Sequence, residues 1–169
     1  MQLTEKEFVT LINANQGIIH KVCGAYCQNA DDKKDLFQEI VLQLWKSYAS
    51  YRKEAKVSSW MYQIALNTAI TQFRRIKIRP KFEPISDIIL NVSDIDSGDD
   101  YELKSKALHY AINQLSEIEK GLILLYLEEY SNEEIGEIMG ITQNNVRVKL
   151  HRIQEKIKSI ITTKNYERA

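Results

Sequence analysis

SNEEIGEIMGITQNNVRVKLHR, from Ser131 to Arg152, reads as two short helices joined by a tight turn. Ser131 with Glu134 fits a capping box, in which a hydroxyl and a carboxylate each satisfy a free amide at the helix start. Gly140 suits the end of that helix, because glycine takes the left-handed conformation without a Cβ clash. In the turn MGIT, Ile141 can pack between the helices while Thr142 caps the second. Ile135 and Ile138 then face the same core as Val146 and Leu150. Past the turn, Val146, Leu150, Ile153, Ile157 and Ile160 step by 4, 3, 4 and 3 residues, the period of one helix face.

That register leaves Gln143, Asn144, Asn145 and Arg147 exposed at the start of the second helix. Amide and guanidinium groups so placed make bidentate contacts to adenine or guanine edges in a major groove. Lys149, His151, Arg152 and Lys156 lie further along, where they suit phosphates. Capped helices, a glycine turn and a basic second helix outline a DNA-reading helix-turn-helix. The plainer alternative is a helical hairpin with a solvated polar face. The acids ahead of the turn, Glu128, Glu129, Glu133, Glu134 and Glu137, should point away from DNA.

Working outward, Leu108, Ala111, Ile112 and Leu115 set an earlier helix, and Ser116 with Glu119 caps another through GLILLYLEEY. Four helical segments thus make a second domain over residues 104–169. Before it, EPISDIILNVSDIDSGDDYE holds Pro84, Gly98 and no sustained helical period, so residues 81–103 read as an acidic flexible linker. The 169 residues carry 23 basic and 23 acidic side chains, yet the charge is segregated. Residues 1–82 have a net charge of +6, 83–103 of −7, 104–139 of −4 and 140–169 of +5. A DNA duplex meets these local fields and not their sum.

Residues 1–80 read as a first helical domain of at least three helices, which makes the fold class all-α. Phe8, Leu11, Ile12, Ile18, Ile19, Val22, Cys23 and Tyr26 recur at helical spacing, with Asn15 and Gly17 as weak points. NADDKKD opens a second helix, expected to bury Phe37, Ile40, Val41, Leu44, Trp45 and Tyr48. Ser58 or Ser59 caps a third, running to about Lys77. Away from the apolar stripe, Asp35, Gln38, Glu39 and Leu42 form a face suited to docking a protein; an ordinary solvated face is the alternative. Six of the 15 aromatics fall within residues 45–73 (Trp45, Tyr48, Tyr51, Trp60, Tyr62, Phe73), among Arg52, Lys53, Lys56, Arg74 and Arg75. Basic groups among aromatic faces suit single-stranded nucleic acid, whose unstacked bases need a π surface. Trp45 and Phe73 are expected in the core and Tyr51 at the surface.

Two stretches together carry a family resemblance. DDKKDLFQEIVLQLWKSYASYRKEAKVSSWMYQIALNTAITQFRR resembles region 2 of an extracytoplasmic-function (ECF) sigma factor, and LSEIEKGLILLYLEEYSNEEIGEIMGITQNNVRVKLHRIQEKI resembles region 4 of the same family. The resemblance implies that the segment Asp35–Ile40, with Leu42, docks on the β′ clamp helices of core RNA polymerase. It implies that the loop Tyr51–Ser59 captures a flipped −10 base, with Trp60 beside it. Asn67, Arg74 and Arg75 would then engage the −10 duplex and melting fork. Gln143, Asn144, Asn145, Arg147, Lys149 and Arg152 would read or hold the −35 element. Thr71 stands where many members carry an acid four positions after the asparagine. Implied partners are core polymerase, including its β flap, promoter DNA and an anti-sigma factor.

Other readings compete at this stage. A stand-alone helix-turn-helix regulator would need a dimer seam, and no clear heptad or other dimer seam stands out beyond the core stripe of the last helix. His20, Cys23 and Cys27 offer three metal ligands in an H-x2-C-x3-C arrangement without a fourth, so core packing is the expectation and no metal or cofactor is assigned. Nothing resembles a phosphate-binding glycine loop or a nucleophile constellation, so no enzyme activity is expected. MQLTEKEFVT has no signal-peptide pattern and LILLYL is too short to span a bilayer, which fits a cytoplasmic protein.

Overall fold

The computed structural model describes residues 4–78 and 100–168. Helices α1 (Glu5–Ala14), α2 (Gln16–Tyr26), α3 (Ala30–Tyr48) and α4 (Val57–Ile78) precede α5 (Asp100–Asn113), α6 (Glu117–Leu127), α7 (Asn132–Met139) and α8 (Gln143–Arg168). Most of the acidic stretch at 81–103 lies outside the described residues; its last residues already belong to α5.

Local chemistry sets most helix ends. Capping boxes start α1 at Thr4 and Glu7, α6 at Ser116 and Glu119, and α7 at Ser131 and Glu134. Asn29 caps α3 by accepting from the Asp32 amide, with Asp31 and Asp32 at the positive end of the helix dipole. The chain breaks at Asn15, which ends α1 and precedes α2 while its side-chain amide donates to the Leu11 carbonyl. α4 begins at Val57, two or three residues earlier than a cap at Ser58 or Ser59 would place it. Gly140 closes α7 in the left-handed region at φ 71°.

α1–α4 pack as one bundle around Ile19, Val22, Leu36, Ile40, Leu44, Met61, Ala65 and Leu66. α5–α8 form a second bundle around Ala111, Leu122, Leu125, Ile135, Val146 and Ile153. Fully burying one of the valine, leucine, isoleucine or methionine side chains contributes roughly 1.5–3 kcal/mol. α3 differs from the expected stripe. Leu36 is fully buried, Phe37 and Val41 sit at its flanks, and Trp45 is 44% exposed. Trp45 meets Phe8 of the short helix α1 in a T-shaped pair, ring centroids 5.0 Å apart, and this contact leaves much of the Trp45 side chain uncovered. Phe73 is half-buried and packs beside Tyr26.

The bundles meet through α2 and α4 on one side and α5, α6 and α7 on the other. The Tyr26 hydroxyl donates to the Glu117 carbonyl across this junction. Lys21 pairs with Glu128 at 2.6 Å and Lys56 with Glu134 at 3.2 Å. Tyr62 and Tyr130 meet edge to face, with ring centroids 5.6 Å apart. At Gly121 of α6 a Cβ would come within 3.2 Å of the Tyr26 hydroxyl, so this glycine leaves room for the close approach.

Candidate nucleic-acid interface

The α7–turn–α8 unit is rigidly specified. The Gly136 carbonyl accepts from the Gly140 and Ile141 amides, which folds the turn back on α7. Ile141 packs against the core from the turn, and Thr142 Oγ1 accepts from the Asn145 amide at 3.2 Å. Val146, Leu150, Ile153 and Ile157 are buried, so Gln143, Asn144, Asn145, Arg147, Lys149 and Arg152 all stand exposed. Arg147 Nη2 donates to Asn144 Oδ1 at 3.0 Å, joining a guanidinium and an amide into one unit. Lys156 turns from this face to pair with Glu119 at 3.1 Å. Burial works to raise the Glu119 carboxyl, but the Ser116 amide and Lys156 hold it below its usual range. The acids ahead of the turn do not all face solvent, because Glu128, just past α6, and Glu134 of α7 meet cations of the first bundle.

In the first bundle, Arg52, Lys53 and Lys56 are exposed on the α3–α4 loop. Tyr51 is half-buried: its ring stacks on Trp60 with centroids 4.5 Å apart, and its hydroxyl donates to the Ala55 carbonyl. Trp60 lies beneath it, 9% exposed. An open cleft of about 720 Å3 runs beside this pair, lined by Thr10, Leu11, Tyr48, Tyr51, Lys53 and Lys56. The contribution of α1 to that cleft has no local sequence signal; only the packing of α1 on α3 creates it. Lys56 pairs with Glu134, whose carboxyl is held low by the Ser131 amide and then by Lys56.

Asn67, Arg74 and Arg75 are exposed on α4. Asn67 and Arg75 share a second open cleft, of about 790 Å3, with Glu39, Gln43 and Thr71. Residues expected to serve two different partners therefore border one groove between α3 and α4. Asp35 and Gln38 are exposed on α3, Glu39 is half-buried, and Leu42 is 45% exposed despite its apolar side chain. Glu39 accepts from Gln43 at 2.9 Å. Trp45 continues the Leu42 face by one turn, which extends the exposed apolar surface beyond the four residues singled out in the sequence.

Cys23 and Cys27 are both buried free thiols. Burial pushes each up to about 11; Cys27 adds to the shift at Cys23, and Asp32 adds to it at Cys27. His20 is exposed, 5.0 Å from the Phe37 ring. Among the described residues no group of three metal-ligating side chains converges, and no helix is long and apolar enough to cross a membrane.

Comparison with known proteins agrees with this layout. Residues 11–78 match the Sigma-70 region 2 family, and residues 105–157 match the Sigma-70, region 4 family. The RNA polymerase sigma factor SigV of Bacillus subtilis is 30% identical over 152 residues, covering 89% of either chain. The ECF RNA polymerase sigma-E factor of Haemophilus influenzae is 28% identical over 168 residues, covering 93% of this chain and 88% of that one. Among solved structures, CnrH in complex with the cytosolic domain of CnrY superposes with a TM-score of 0.66 over 95% of this chain and 90% of that one, at 14% identity. The sigma factor RpoE bound to the anti-sigma factor NepR, from Bartonella quintana, gives 0.66 over 94% and 96% at 17% identity. Two sigma regions in order, on an all-helical two-bundle fold, place the chain in the ECF branch of the sigma-70 family of RNA polymerase sigma factors.

Proposed function

We propose that residues 1–80 dock on core polymerase and open the −10 element, that 81–103 link the halves, and that 104–169 read the −35 element. Asp35, Gln38, Glu39 and Leu42 form the docking face toward the β′ clamp helices, and the second bundle meets the β flap. The cleft beside Tyr51 receives a base that has left the duplex, and Arg52, Lys53 and Lys56 hold the adjoining phosphates. Asn67, Arg74 and Arg75 follow the strand along α4, while the exposed start of α8 enters the upstream major groove. The chain supplies promoter choice and strand opening in the cytoplasm, and the polymerase supplies the chemistry. An anti-sigma factor is a further partner, by likeness to relatives solved with such proteins.

One observation carries the reading. A single chain presents two surfaces of different kinds suited to nucleic acid: a cleft lined by Tyr48, Tyr51, Lys53 and Lys56, and a helix-turn-helix with an exposed polar start. The first suits an unstacked base and the second a duplex. The test is binding of holoenzyme to a −10 non-template oligonucleotide, followed by fluorescence anisotropy. Tyr51→Ala should weaken it about tenfold, as expected from stacking worth about 1–3 kcal/mol per base. Arg52→Ala, which leaves the stacked pair intact, should weaken it less and flatten its salt dependence. Equal affinity for all three proteins would overturn base capture at this cleft.

A further inference from the structure

α8 carries one exposed apolar side chain where its face points farthest from the core. At about 100° per residue, the buried set Val146, Leu150, Ile153 and Ile157 defines one side of the helix. The opposite side is Asn144, Val148, His151 and Glu155, again spaced by 4, 3 and 4 residues. All four are exposed, and Val148 is open at 39% with polar or charged neighbours along the same face. Gln143, Asn145 and Arg147 occupy the shoulders. Glu155 pairs with Lys158 at 3.5 Å, and a carboxylate there marks where a phosphate backbone must leave the helix. The part of α8 able to face bases is therefore short, and Val148 sits in its middle.

A valine neither donates nor accepts a hydrogen bond, so it cannot read the polar code of a base edge. The major groove offers one apolar group, the 5-methyl of thymine. Asn144 lies one turn back on the same face, tied to Arg147. Four residues of helix advance about 6 Å, and base pairs are spaced about 3.4 Å apart. Val148 and Asn144 thus address positions about two base pairs apart.

We propose that Val148 is a specificity residue whose isopropyl group packs on the methyl of a thymine in the upstream promoter element, within about two base pairs of the pair contacted by Asn144. The proposal rests on the assignment of α8 as the −35 reader. Its test starts from a promoter selected by the holoenzyme out of a pool with a randomised upstream element. Each thymine within the upstream footprint is replaced in turn by deoxyuridine, which deletes only the methyl, and holoenzyme affinity is measured by competition. One position should cost the wild type about fourfold, the scale of one buried methyl group. The same replacement should cost Val148→Ala nothing. Val148 is exposed and alanine favours helix, so this variant keeps the fold.

Wild-type indifference to deoxyuridine at every position would overturn the proposal. So would a methyl preference that survives in Val148→Ala, or a selected element with no thymine within reach of α8. Loss of the upstream footprint altogether would instead overturn the assignment of α8, and the valine contact with it.

Discussion

Among the described residues Gly136 should be the glycine least tolerant of a Cβ on steric grounds, and the reason is a single carbonyl. A Cβ built on Gly136 would lie 2.7 Å from the Ile141 backbone oxygen, while its next neighbours, the Gln143 nitrogen and Thr142 carbon, lie at 3.5 and 3.6 Å. That oxygen belongs to the turn and cannot swing aside as a side chain would. The Ile141 amide is meanwhile held by the Gly136 carbonyl at 3.0 Å, so relief requires moving the turn and the start of α8 together. Overpacking of this kind costs about 1–3 kcal/mol, and alanine returns up to about 1 kcal/mol in helix propensity. A net loss of about 1–2 kcal/mol corresponds to a fall in Tm of roughly 2–8 °C for a chain of this size. Gly24 is the internal control, since a Cβ there meets nothing within 4 Å. Gly24→Ala, an exposed substitution within α2, should stabilise by about 0.5–1 kcal/mol. Thermal melts by circular dichroism compare the two directly. Upstream-element footprinting should show that Gly136→Ala loses −35 contact while core binding persists. A Gly136→Ala protein as stable as Gly24→Ala, with an intact upstream footprint, would refute the steric reasoning.

Two further outcomes concern the ion pair across the junction and the proposed docking face on α3. Lys56 is paired with Glu134 across the bundles, so Glu134→Gln should free it while keeping the acceptor that caps the Ser131 amide. The free chain carrying Glu134→Gln should bind a −10 single strand more tightly than wild type at low salt, with the gain fading as salt screens both proteins; unchanged anisotropy curves would show that the pair does not compete with DNA. On α3, Leu42→Asp should weaken core binding at least tenfold in a pull-down titration, because it places a charge at the exposed apolar residue of the proposed docking face; full affinity would move the docking face elsewhere.

How far the sequence carries depends on the range of each interaction. The boxes at Ser116 and Ser131 and the left-handed Gly140 act within a few residues, and all three were readable from residue types alone. The core stripe of α8 was equally plain, because one neighbouring bundle covers one face. α3 was harder: Trp45, expected in the core, is exposed, while Leu36, not among the residues expected to be buried, is fully buried, since burial there depends on which neighbouring helices cover each side of α3. The polar residues at the start of α8 were legible as a group from their register. Val148 was not, because an apolar residue in a helix looks like core until the buried set is known. Contacts between the bundles had no local signature. Tyr26 meets the Glu117 carbonyl 91 residues away, and Glu134 serves both its own helix cap and Lys56. The cleft beside Tyr51 depends likewise on α1, which precedes the loop by a whole helical layer.

The most direct test of the account is run-off transcription with bacterial core polymerase on a promoter selected by this chain. Wild type should give specific starts. Asp35→Ala with Leu42→Asp should abolish them by removing core binding, and Asn144→Ala with Arg147→Ala should reduce them on that promoter while leaving core binding intact. Specific starts that survive both double substitutions undiminished would contradict the placement of the docking face and of the upstream reader alike.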